Sequence, residues 1–158
     1  MKNQYIAVLE QGLKKKVSLL DQIIVKNIMQ KQLLSDPELD PDVLEENLNQ
    51  KADLVDALIE LDKGFEQVYE RVRTELDEHR MEYRTEITVM KQYITQITEK
   101  STQIQTQEQR NKDLMLQKFA TVKKQIREVK SNQKVVHQYY QNMMKLNYVD
   151  PQFMDNKK

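Results

Sequence analysis

Apolar residues recur along this chain in steps of three and four, the spacing that lines one face of an α-helix. From about Asn3 to Leu34 the row is Ile6, Leu9, Leu13, Val17, Leu20, Ile24 and Ile28. This predicts a first helix, with Gly12 as a tolerated weak point. Ser35-Asp36-Pro37 ends it, because the residue before a proline is pushed out of the helical region. Asp40-Pro41 starts a second helix. Asp40 can cap it, Pro41 is pre-set for the first helical position, and Asp42, Glu45 and Glu46 suit the helix dipole.

The stripe of the second helix is Leu44, Leu48, Val55, Leu58, Phe65, Tyr69, Val72 and Leu76. Leu54, Leu61 and Val68 add a flanking row spaced by seven. A double row is wider than a two-stranded seam needs, so this helix is expected to touch two neighbours. No glycine or proline marks its end. A turn is placed at Asp77-Glu78-His79-Arg80, because a continuous helix from 41 to 146 would be about 160 Å long and would leave the wide face uncovered.

A third segment, from about Met81 to Leu146, carries the seam Tyr83, Ile87, Met90, Ile94, Ile97, Ser101, Ile104, Glu108, Asn111 and Met115. After a four-residue stutter the seam continues through Phe119, Val122, Ile126, Val129, Gln133, Val136, Tyr140 and Met143. The stretch from Ser101 to Lys112 is polar, and reads as a solvated stretch, a polar layer or a turn that would create a fourth helix. As one helix the segment would be about 100 Å long, against about 50 Å for the first. Half of it would then lack an intramolecular partner. The expected fold is therefore all-α, an elongated antiparallel bundle of three long helices over 1–146, with a flexible tail at 147–158.

Composition sharpens this reading. The chain has 158 residues, with 2 glycines, 3 prolines and no cysteine. So few glycines cannot supply the turns of a sheet protein. Zero cysteines exclude disulfides and thiolate metal sites and fit a reducing cytosol. No segment approaches 18 consecutive apolar residues, and Met1-Lys2-Asn3-Gln4-Tyr5-Ile6 lacks the apolar core of a signal peptide. The protein is expected to be cytoplasmic.

Net charge is zero but unevenly spread: +4 over 1–34, −11 over 35–79 and +7 over 80–158. Either the acidic middle packs against its basic flanks, or these are solvated helix faces. Lys118, Lys123, Lys124, Arg127, Lys130 and Lys134 form a basic run opposed by Glu128. Such a run can track nucleic acid or an anionic membrane. The chain is neutral and carries no recognition motif, so a solvated face complementing the second helix is the favoured reading, with no nucleic acid and no membrane insertion.

Candidate chemistry is sparse. His79 and His137 are the only histidines, and neither sits in a metal-binding spacing. The glycines stand singly at 12 and 64, so no phosphate loop exists. No Gly-x-Ser-x-Gly elbow is present. No catalytic residue, cofactor or metal is expected. The candidate surface is apolar instead: Val129, Val136, Tyr139, Tyr140, Met143 and Met144. Methionine adapts to varied partners and tyrosine is enriched at interfaces. The same residues could close the end of the bundle.

Several stretches carry a likeness to a known family: the first helix with Leu9, Leu13 and Leu20, and the passage Lys51-Ala52-Asp53-Leu54-Val55-Asp56-Ala57-Leu58. To these add Gln107-Glu108-Gln109-Arg110-Asn111-Lys112-Asp113-Leu114-Met115, then Tyr139-Tyr140-Gln141-Asn142-Met143-Met144 and Phe153-Met154-Asp155-Asn156-Lys157-Lys158. Over nearly its whole length the chain resembles the FlgN-type flagellar export chaperones. The resemblance implies long antiparallel helices, no catalysis, binding of hook-associated junction proteins before secretion, and delivery to the flagellar export gate. The alternative is a structural coiled-coil protein whose surplus helix pairs with itself in a homodimer.

Overall fold

The computed structural model describes residues 4–121. Over that span the chain forms α1 (Gln4–Leu34), α2 (Pro41–Glu78) and α3 (Arg84–Thr121). They have 31, 38 and 38 residues, so α2 and α3 are each about 57 Å long. Cross-helix bonds fix the directions. Lys16 meets Asp62 and Lys26 meets Gln50, so α1 and α2 are antiparallel. Asp21 meets Lys100 and Asn27 meets Gln107, so α1 and α3 run parallel. The protein is an all-α, up-down-up bundle.

Helix boundaries follow local chemistry. At the end of α1, the Ser35 amide bonds the Lys31 carbonyl at 3.0 Å and the chain then enters Pro37. Asp40 is the N-cap of α2: its extended backbone (φ −83°, ψ 117°) lets the carboxylate accept from the Asp42 amide at 2.9 Å. The α2–α3 reversal uses no glycine. His79 closes α2 by donating its amide to Glu75 O, and Glu82 and Tyr83 then donate theirs to His79 O. None of the described residues takes a positive φ, so ordinary side chains suit this turn. It also begins α3 at Arg84 rather than near Met81, which is instead 78% exposed in the turn.

The core is divided in two. The larger part joins Ile6, Leu9, Leu13, Leu20 and Ile23 of α1, Val55, Leu58, Val72 and Leu76 of α2, and the α3 seam from Ile87 to Ile104, with Tyr83 of the turn. The smaller part is Leu34, Leu44, Leu48 and Met115, with Leu33, Leu39, Leu114 and Phe119 packed on it.

Two details differ from the pattern expected of the sequence. Ile28 is 46% exposed, and the buried face of α1 passes through Ile23, Asn27, Gln30 and Leu34 instead. Polar residues occupy the core positions there, so the apolar row drifts off the interface. Secondly, α1 rather than α2 brings its backbone close to both neighbours. The flanking residues Leu54, Leu61 and Val68 are only partly buried. At mid-bundle α2 reaches α3 through a long side chain, Lys51.

Candidate functional site

The third helix is unbroken from Arg84 to Thr121, so Ser101–Lys112 holds neither a turn nor a start of a fourth helix. Its polar residues build a layer across the bundle. Asn27 and Gln30 of α1, Asn47 and Lys51 of α2, and Gln107, Glu108 and Asn111 of α3 are all buried. Asn27, Gln30, Lys51, Glu108 and Asn111 stand in line with the apolar seams of their helices, where periodicity calls for an apolar side chain, and Asn47 and Gln107 stand on the rows beside them.

The layer is cross-linked by hydrogen bonds. Asn27 Nδ2 donates to Gln107 Oε1 at 3.0 Å. Asn111 Nδ2 donates to the Asn27 carbonyl at 3.0 Å and to Gln30 Oε1 at 3.2 Å. Lys51 Nζ donates to Gln30 Oε1 and forms an ion pair with Glu108 Oε1 at 2.9 Å. Asn47 Nδ2 reaches the Lys26 carbonyl. Burial pushes the Lys51 ammonium down to about 8, with Glu108 opposing that shift. A second ion pair, Lys16 with Asp62 at 2.9 Å, follows the same logic. Desolvation lowers the Lys16 value and raises that of Asp62, and in each case the partner opposes it.

These pairs give a mixed answer on charge. Lys16–Asp62 joins the basic first segment to the acidic middle. Lys51–Glu108 runs the other way, with its cation from the acidic middle and its anion from the basic last segment. Net segment charge alone therefore does not account for the buried pairs.

Below the layer lies the end of the bundle at which the described part of α3 finishes, at Thr121. Lys118 Nζ donates to the Asp36 carbonyl at 2.8 Å, in the α1–α2 connection. The Lys51–Glu108 pairing of antiparallel helices puts Pro41, the first residue of α2, level with Lys118. Both neighbours of α3 therefore end at Lys118. Val43 and Leu116 are exposed at this end, and Val25, Ile28 and Met29 are exposed on α1 at or just above the level of the layer. Beside it, Ile28, Lys31, Gln103, Thr106, Gln107 and Arg110 line an open groove between α1 and α3.

The six surface residues expected to bind a partner, Val129, Val136, Tyr139, Tyr140, Met143 and Met144, lie outside the described residues. So do the basic run from Lys123 to Lys134, His137, the seam beyond Thr121 and the tail at 147–158. His79 stands half exposed at the α2–α3 turn, its Nδ1 3.9 Å from Glu82. Among the described residues, no group of three His, Cys, Asp or Glu side chains could hold a metal. No described helix is long and apolar enough to cross a membrane.

The polar layer was half visible in the sequence. Glu108 and Asn111 fall on the predicted α3 seam, whereas Asn27, Gln30, Asn47 and Lys51 do not enter an apolar row. The signal that could have found them is the seven-residue register of Asn27, Gln30 and Lys51 with Leu20, Ile23, Leu34, Leu44 and Leu58, and of Asn47 with Leu54. No family model matches the chain, and neither a curated protein nor a solved structure matches it.

Proposed function

We propose that the protein is a cytosolic flagellar secretion chaperone. In this reading it binds hook-associated junction proteins and escorts them to the export gate, with no catalysis of its own. One observation carries the proposal. Both neighbours of α3 end at the level of Lys118, while the apolar seam in the sequence runs on through Val122, Ile126, Val129, Val136, Tyr140 and Met143. An apolar seam that continues in the sequence past the level where α1 and α2 end suits an amphipathic segment supplied by another chain. Clients with unpaired coiled-coil termini aggregate unless such a surface covers them.

The test is a titration of the full chain with purified hook-associated protein, followed by solution mass. Specific 1:1 or 2:1 complex formation supports the reading. Val136→Asp or Tyr140→Asp should weaken it about thirtyfold, because a buried interface aromatic can carry roughly 2 kcal/mol. A chain that is dimeric alone and indifferent to the client would replace this reading with self-association.

A further inference from the structure

We infer that the bundle opens in two steps, with the end carrying Leu34, Leu44, Leu48 and Met115 releasing as a unit while the larger core stays closed.

Its first ground is the division of the core. Hydrophobic packing is cooperative where buried side chains touch one another. Here the smaller cluster has four buried members among the described residues and is separated from the larger by a belt of seven buried polar residues. The second ground lies inside the belt. Asn27 Oδ1, Gln30 Nε2, Asn47 Oδ1 and Asn111 Oδ1 are buried with no protein hydrogen-bond partner. Buried polar atoms left so are costly, and opening the end hydrates them. The third ground is that, among the described residues, this end holds four buried apolar side chains against sixteen in the larger part. Regions with few buried apolar contacts open at lower free energy than the global transition.

The structural consequence is specific. Opening uncovers Leu34, Leu44, Leu48 and Met115 together, immediately before the point where the sequence seam continues at Phe119. The larger core, including Ile23, Val55, Leu58 and Ile104, remains packed.

Native-state hydrogen exchange of the full chain in rising, sub-denaturing urea tests this. Amides at 30–34, 47–50 and 112–118 should merge on one urea dependence, at protection at least tenfold below that of amides at 13–23 and 55–62. Asn111→Leu is the second arm. It removes one unpartnered atom, and Gln30 Oε1 keeps its bond from Lys51. It should raise protection of the lower end about tenfold or more towards that of the larger core. Two results overturn the inference: graded fraying with no shared dependence, or lower-end amides that exchange only with global unfolding. An unchanged gap in Asn111→Leu would also overturn it, because the polar belt would then not be the boundary.

Discussion

Lys51 of α2 and Glu108 of α3 meet at 2.9 Å with side chains 0% and 7% exposed, in the belt between the two parts of the core. Gln30 of α1 accepts a further bond from the same ammonium, so one lysine joins all three helices. Because α2 and α3 make few close backbone approaches, this contact does much to fix their relative register. A shift of either helix by a turn would strand one charge in the interior, and an uncompensated buried charge costs several kcal/mol.

Removing one partner should therefore hurt more than removing both. Lys51→Met is expected to destabilise the protein by about 3–5 kcal/mol, since Glu108 is left buried without its cation. The double variant Lys51→Met/Glu108→Leu should recover most of that loss. Equilibrium urea unfolding of the four species of the cycle measures it. A single variant within about 1 kcal/mol of the native protein would mean that the pair is not closed in solution.

The same lysine sets a pH dependence. Its folded value, about 8, lies below the usual 10.5, so between those values the unfolded chain binds more protons than the folded one. Stability from this group is lowest below about pH 8 and rises with pH towards 10.5, by at most about 3 kcal/mol. Lys16, also lowered by burial, acts in the same direction. Unfolding free energies measured from pH 7 to 10 should show the rise, and Lys51→Met/Glu108→Leu should reduce it to the part that Lys16 supplies. A fall over that range in the native protein, with no difference in the variant, would contradict the assignment.

Much of this fold can be read from the residues themselves. Pro37, Asp40 and Pro41 mark the first connection because their constraints are local: a fixed φ, a missing donor and a capping carboxylate. The α2–α3 turn has no such mark. Its place at His79–Tyr83 follows only from the need to cover the face of α2, a tertiary requirement. The exposure of Ile28 illustrates the same limit. Nothing in α1 by itself says that Asn27 and Gln30 are core residues, because their partners lie about 80 positions away in α3. Apolar periodicity finds a seam where the seam is apolar and loses it where hydrogen bonding across helices replaces packing.

Two glycines offer a test of helix propensity with packing held nearly constant. A Cβ at Gly64 would have nothing within 4 Å, and Gly64 is exposed in mid-α2. Gly64→Ala should stabilise the protein by about 1 kcal/mol, the ordinary difference between these residues in a helix. At Gly12 a Cβ would stand 3.5 Å from Phe65 Cδ2, an ordinary contact. Gly12→Ala should therefore gain at least as much. Thermal unfolding resolves shifts of this size, and a loss in Gly64→Ala would mean that α2 is not helical there.

Truncation offers the sharpest test of where the bundle ends. Among the described residues, the buried side chains of both core clusters lie between Ile6 and Met115, and their described packing partners extend to Phe119. The lowest inter-helix tie among the described residues is Lys118 to Asp36 O, at the level where α2 begins. A chain ending after Thr121 retains all of these contacts. It should stay predominantly helical by circular dichroism and unfold cooperatively, with a melting temperature within about 5 °C of the full chain, a shift of roughly 1 kcal/mol. It should also lose the client binding proposed above, since Val129, Val136, Tyr139, Tyr140, Met143 and Met144 are gone. If the truncated chain is unfolded, residues beyond Thr121 complete the core, and the six apolar side chains close the bundle instead of receiving a partner. If it folds and still binds client, the binding surface lies on the described bundle, and the exposed patch of Val25, Ile28 and Met29 becomes the first place to mutate.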